Sequence, residues 1–167
     1  MTREEFIRVL EEQGYSYKIE GDKVVVTGDD VYLHSLKTLP PGVEFNNGAY
    51  VGLDSLETLP PGVEFNNGGS VRLGSLQTIS PGVEFKNVGN VYLHSLQTLP
   101  PGVGFKNGED VSLESLQTIP PGVEFKNVGD VNLESLVGGW FKDWKGNIEG
   151  IDPKRILNGM IKRGLFI

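Results

Sequence analysis

The sequence predicts an all-β solenoid of about five to six 20-residue coils, closed by an N-terminal helix–hairpin cap and a C-terminal helical cap. Three observations predict it. From Val31 to Asp130 the chain repeats at a strict period of 20 residues, without insertion or deletion, and a sixth copy begins at Val131 and stops at Leu136. Each full copy holds two alternating apolar stretches, exemplified by Val51-x-Leu53 and Val63-x-Phe65, the period-two mark of a strand with one buried face. Each also carries a proline–glycine pair such as Pro61-Gly62, and a proline inside a helix breaks it, which excludes a helical repeat.

The N-terminal cap spans residues 1–30. Thr2 and Glu5 form a capping box, Phe6, Val9 and Leu10 fall on one helical face, and Gly14 closes a helix over roughly residues 3–13. Residues 15–20 and 23–27 then flank Gly21-Asp22 as a hairpin leading into the first coil. Residues 31–136 form the solenoid. Val51, Leu53, Leu56, Leu59, Val63 and Phe65 exemplify the six apolar positions of a full copy. Between the two strands, the Ser-Leu-x-Thr-Leu segment reads either as extended chain or as a short 3₁₀ turn. Pro60-Pro61-Gly62-Val63 reads as a type II turn, and Asn67 marks a second corner, where asparagine tolerates the left-handed region.

A single coil cannot bury its apolar face, so coils must stack, with strands about 4.8 Å apart and residues twenty apart in columns. Ser35, Ser55, Ser75, Ser95, Ser115 and Ser135 make one column, and Asn47, Asn67, Asn87, Asn107 and Asn127 another. Both read as small polar side chains bonding up and down the stack. Residues 137–167 form the C-terminal aromatic and helical cap. Trp140, Phe141 and Trp144 cover the last coil, and Asp152 and Pro153 open a helix through about Arg163, ended by Gly164. Cap, coils and cap make one folding unit.

Composition narrows the function. The 167 residues and 18.3 kDa fit one domain. Cysteine is absent, which removes disulfides, thiolate metal sites and a cysteine nucleophile. No apolar run approaches the roughly 20 residues of a membrane span, and Glu4 and Glu5 stand where a secretory signal carries basic residues. The expected location is the cytoplasm. Net charge is −7, with residues 137–167 at +3 (six Lys/Arg, three Asp/Glu) and residues 1–136 at −10 (nine against nineteen). So acidic a body argues against direct nucleic-acid binding, because little neutralises phosphates.

The motif L-P-x-G-V-x-F-x-N…V-x-L-x-S-L is similar to leucine-rich-repeat-like β-solenoids of bacteria and their phages. The Leu-x-Leu strand and the following Leu-Pro are present, but the asparagine corner precedes the strand instead of following it. The opening EEFIRVLEEQGYSYKIEGDKVVVT and closing WKGNIEGIDPKRILNGMIKRGLFI also resemble the termini of proteins of that phage and bacterial kind. The resemblance implies architecture and a place in the host-cell cytoplasm if the protein is phage-encoded. It implies no activity, and no functional residue travels with it.

Function is expected where the repeat varies. Positions 32, 52, 72, 92, 112 and 132 read Tyr, Gly, Arg, Tyr, Ser, Asn, and positions 34, 54, 74, 94, 114 and 134 read His, Asp, Gly, His, Glu, Glu. Both columns point outward from the Val-x-Leu strand and share one face. The expected partner surface is Tyr32, His34, Arg72, Tyr92, His94 and Glu114, with Trp140 and Trp144, beside Lys142 and Lys145, as a second patch.

Competing chemistries fit less well. His34 and His94 stand three coils apart, about 14 Å by strand spacing, too far to share a metal ion. His94 and Glu114 alone make too few ligands. No serine lies in a nucleophile-elbow motif and no phosphate-cradling glycine loop occurs. Glu44, Glu64, Glu84 and Glu124 could imitate a phosphate row, but Lys86, Lys106 and Lys126 lie two residues along to neutralise it. Thr38, Thr58, Thr78, Thr98 and Thr118 make a single threonine file, a poor match to a two-file ice-binding plane. The expectation is a non-catalytic protein-interaction module, without cofactor or metal. The alternative is an anti-CRISPR-like, phage-encoded inhibitor of a bacterial defence system, which binds an effector protein or mimics nucleic acid with its acidic surface.

Overall fold

Residues twenty apart in sequence stand directly above one another. Val51 pairs with Val71, Val71 with Val91 and Val91 with Val111, all parallel and in register, and Glu44, Glu64 and Glu84 pair in the same way. The computed structural model describes residues 1–120 and 122–136. Over them the chain is a β-solenoid with one short α-helix at its N-terminal end. The C-terminal cap expected over residues 137–167, with Trp140 and Trp144, lies outside the described residues.

The N-terminal elements are α1 (Arg3–Glu12), β1 (Ser16–Glu20) and β2 (Lys23–Thr27), followed by the first coil strands β3 (Val31–Tyr32) and β4 (Val43–Phe45). The capping box forms as expected, with Thr2 Oγ1 accepting from the Glu5 N–H at 3.1 Å and Glu5 Oε2 from the Thr2 N–H at 2.7 Å. Phe6 and Leu10 of α1 are fully buried in the solenoid core, and Val9 packs against it partly buried. β1 pairs antiparallel with β2, and β2 pairs parallel with β4, so the hairpin adds to one sheet. That sheet continues through Glu64–Phe65, Glu84–Phe85, Gly104–Phe105 and Glu124–Phe125. A second, six-stranded sheet runs from β3 through Val51–Gly52, Val71–Arg72, Val91–Tyr92 and Val111–Ser112 to Val131–Asn132.

The end of the six-stranded sheet would expose an unpaired backbone edge at β3. Tyr15 closes it with one hydroxyl. Its Oη accepts from the Tyr32 N–H at 2.9 Å and donates to the Tyr32 carbonyl at 3.0 Å, standing in for a missing rung.

Corners follow local chemistry. Gly42, Gly62, Gly82, Gly102 and Gly122 all have φ between 73° and 85°, as the third position of a type II turn requires. The Ser-Leu-x-Thr-Leu segment takes both conformations in succession. The Leu56 N–H donates to the Leu53 carbonyl at 3.0 Å in a 3₁₀-type turn, and Thr58–Leu59 then extends to pair with Thr78–Ile79.

The asparagine corner differs from expectation. Among the described residues only glycines have positive φ, so left-handed tolerance is not what asparagine supplies. Asn47, Asn67, Asn87, Asn107 and Asn127 are instead buried. Asn87 Nδ2 donates to the Gly69 carbonyl of the coil before at 3.1 Å, and within its own coil to Gly89 at 2.9 Å and Asn90 at 3.2 Å. The side chain thus ties each corner to its neighbour, as a second donor to the Gly69 and Asn90 carbonyls, which also accept backbone N–H groups, and as a donor to Gly89, which does not. Beside this ladder run Phe45, Phe65, Phe85, Phe105 and Phe125, stacked at centroid distances of 5.0 to 5.3 Å with interplanar angles of 3° to 11°. In-register pairing forces identical rings into one column, and the separation suits offset stacking.

Candidate functional site

Alternation along each rung of the six-stranded sheet buries the valine and leucine of Val-x-Leu and turns the residues before, between and after them outward. The outer face is therefore three columns wide, at positions 30, 32 and 34 and their equivalents every twenty residues. It gathers its chemistry into two clusters.

The first cluster joins three rungs. His34 Nδ1 lies 2.9 Å from Asp54 Oδ2, and Arg72 Nε lies 3.0 Å from Asp54 Oδ1. One carboxylate thus joins an imidazole above and a guanidinium below. The Tyr32 ring stands 5.6 Å from His34 and 5.4 Å from Tyr50. These rings cover Gly52. A Cβ there would come within 2.5 Å of His34 Cε1 and 2.8 Å of Tyr50 Cε1, so glycine is what allows the rings to lie against the sheet. Asp30 steadies the upper end, its Oδ2 accepting from the Tyr32 hydroxyl at 3.1 Å and its Oδ1 from the Tyr50 N–H at 3.0 Å. The hydrogen bond to Asp30 raises the Tyr32 phenol above its ordinary value, and burial does the same for Tyr50. Together Tyr32, His34, Tyr50, Asp54 and Arg72 line a shallow depression.

The second cluster repeats the first, sixty residues on. Tyr92 and His94 rings are 5.7 Å apart, and His94 Nδ1 lies 3.4 Å from Glu114 Oε2 without meeting hydrogen-bond geometry. Glu114 Oε1 accepts from the Ser112 hydroxyl and from Asn132 Nδ2, each at 3.1 Å. Of the residues expected at the site, the fold brings Tyr32, His34 and Arg72 into one group and Tyr92, His94 and Glu114 into another.

Tyr50 and Asp54 were missed. Asp54 sits in the outward column beside His34, and its place between a histidine and an arginine on adjacent rungs was the available signal. Tyr50 lies one alternation step ahead of Gly52. Its column carries a small polar acceptor at most rungs: the Asn90 N–H donates to Ser70 Oγ, the Asp110 N–H to Asn90 Oδ1 and the Asp130 N–H to Asp110 Oδ1. Tyrosine has no oxygen near its backbone, so the ladder skips from Tyr50 to Ser70. At that rung a bond between coils gives way to an aromatic surface.

The outer face of the other sheet is occupied by its own charges. Lys23 Nζ bridges Glu44 at 3.3 Å and Glu64 at 2.6 Å, Lys86 and Lys106 both reach Glu84 at 2.5 Å, and Lys126 lies 2.8 Å from Glu124. Hydrogen bonds from Lys106 and then Lys86 hold the Glu84 carboxyl below its ordinary value, and the bond to Glu64 chiefly raises Lys23. A row of paired carboxylates is a poor likeness of phosphates. In the serine column, Ser95 Oγ donates to the Gly74 carbonyl at 2.6 Å, and Ser135 Oγ to that of Glu114, so these hydroxyls serve the stack. Among the described residues no group of three or more His, Asp or Glu is disposed to hold a metal ion, and no helix is long and apolar enough to cross a membrane.

Comparison with protein-family models, curated proteins and solved structures finds no match. The leucine-rich-repeat and phage resemblance therefore rests on the repeat motif and termini, and the comparisons lend no weight to a role in defence inhibition.

Proposed function

We propose that the protein is a non-catalytic interaction module that binds another protein through the outer face of the six-stranded sheet. One observation carries this reading. Where the repeat is free to vary, that face gathers tyrosine, histidine, arginine and carboxylate into preformed clusters, whereas the other sheet's outer face repeats glutamates paired with lysines. Tyrosine and arginine are enriched at the centres of protein interfaces, and side chains held by the strands of a rigid rod lose little further entropy on binding. The clusters are open, with Tyr32 47% exposed.

Affinity capture from the source organism, with identification by mass spectrometry, tests the reading. Tyr92→Ala with His94→Ala should leave melting unchanged and abolish recovery of the partner, and Lys86→Ala with Lys106→Ala should recover it as wild type does. Equal recovery by both double variants would refute the placement.

A further inference from the structure

The two clusters are built alike but completed differently. Tyr92, His94 and Glu114 occupy the positions of Tyr32, His34 and Asp54, sixty residues earlier, and the ring separations agree within 0.1 Å. In the first cluster Arg72 completes the set, its guanidinium on the aspartate beside the tyrosines. In the second, Asn132 stands in the place of Arg72. Its neutral amide reaches Glu114, and no lysine or arginine among the described residues pairs with Asp110, Glu114 or Asp130. A depression of about 210 Å³ lies at this point, lined in part by Tyr92, Asp110, Glu114, Asp130 and Asn132.

We propose that this depression is a pocket for an arginine side chain of the partner protein, which takes the part that Arg72 plays within the first cluster. The inference rests on the interaction reading above and names the chemistry of its partner. The first cluster supplies the template: a guanidinium sits against a carboxylate shared with histidine, alongside tyrosine rings. The second lines its depression with a carboxylate, Glu114, and a tyrosine, Tyr92, while His94 lies beside Glu114 and outside the lining, and Asp110 replaces Tyr50, which adds negative charge where the first cluster has a ring. Arginine fits better than lysine, because a planar fork can bond a carboxylate bidentately and stack flat on an aromatic ring, whereas an ammonium is a strongly hydrated point charge without that geometry. A bare metal ion fits less well, since these carboxylates do not converge as a ligand set.

The test uses the full chain and two probes, N-acetylarginine amide and N-acetyllysine amide, titrated while the side-chain amide signals are followed by NMR. The arginine probe should shift the Asn132 amide saturably, and the lysine probe should bind about threefold to tenfold more weakly. Glu114→Gln should weaken arginine binding about tenfold. Asn132→Arg should fill the pocket from within and abolish binding, and Arg72→Asn should open a second site and double the stoichiometry. If Arg72→Asn lowers the melting temperature, Asn132→Arg and Glu114→Gln decide the matter. No saturable shift, or equal affinity in Glu114→Gln, would overturn the pocket. Loss of partner capture in Tyr92→Ala/His94→Ala without arginine binding would remove the pocket and leave the interaction reading standing.

Discussion

The two sheets of the rod come from the same twenty-residue unit, yet their outer faces have gone different ways. On the seven-stranded sheet, Glu44, Glu64, Glu84 and Glu124 recur with little change, and lysines within the same face pair with them. On the six-stranded sheet the outward columns change at nearly every rung, and the charges left over are mostly negative. Strict repetition stacks like charge on like charge at about 4.8 Å, which demands compensation along the column. Variation releases a face from that constraint. The lesson is that a solenoid separates repeated, self-compensating positions from variable ones column by column, within one strand and between adjacent residues.

Three substitutions sharpen the contrast, in descending order of expected effect. Asn87→Ala strikes the interior that both faces share. It removes three hydrogen bonds from a buried corner, although each carbonyl keeps at least one other donor, and should cost about 1–3 kcal/mol and lower the thermal midpoint, with both faces disturbed together. An unchanged midpoint would mean that the corner ladder contributes nothing.

Gly52→Ala acts on one face alone. The added methyl must displace the ring ends of His34 and Tyr50 from their places beside Asp54 and Tyr32, at a cost of about 1 kcal/mol by circular-dichroism melting. Partner capture should fall far more than melting does. If capture persists, the arrangement of rings over Gly52 is irrelevant to binding.

Lys106→Ala touches the self-paired face. An exposed pair of this kind is worth under about 1 kcal/mol, and capture should be unaffected. The sign of its pH dependence follows from Glu84, whose folded carboxyl is held low by Lys106 and Lys86. The pair's contribution is present above the ordinary carboxylate range and is lost as pH falls through the lowered folded value. The gap in melting between variant and wild type should therefore close on acidification. A gap that widens in acid would contradict the pairing.

Much of the fold was legible because register in a parallel stack follows from period alone. Once Val51 and Val71 are known to be twenty apart without insertion, their pairing and the column of phenylalanines follow. The capping box and the type II corner were equally local, set by Thr2 with Glu5 and by Pro61 with Gly62. What escaped was chemistry between coils. Asn67 looks like a turn residue within its own coil, and only the carbonyl of Ala49, eighteen residues back, reveals it as a buried tie. Tyr15 reads as one more residue of a hairpin until the open edge at Tyr32 is seen. At the site, Tyr32, His34 and Arg72 were visible as departures from the repeat. Tyr50 was not, because its meaning depends on the ladder that it interrupts.

Hydroxyl-radical footprinting of the protein, alone and with its captured partner, tests the central claim most directly. Tyrosine reports well, and Tyr17 at the N-terminal cap supplies an internal reference. Protection should appear at Tyr32, Tyr50, Tyr92, His34 and His94 and be absent from Tyr17 and from the Glu84–Lys106 side. Protection confined to that side, with Tyr92 and His94 as reactive as in the free protein, would contradict the account.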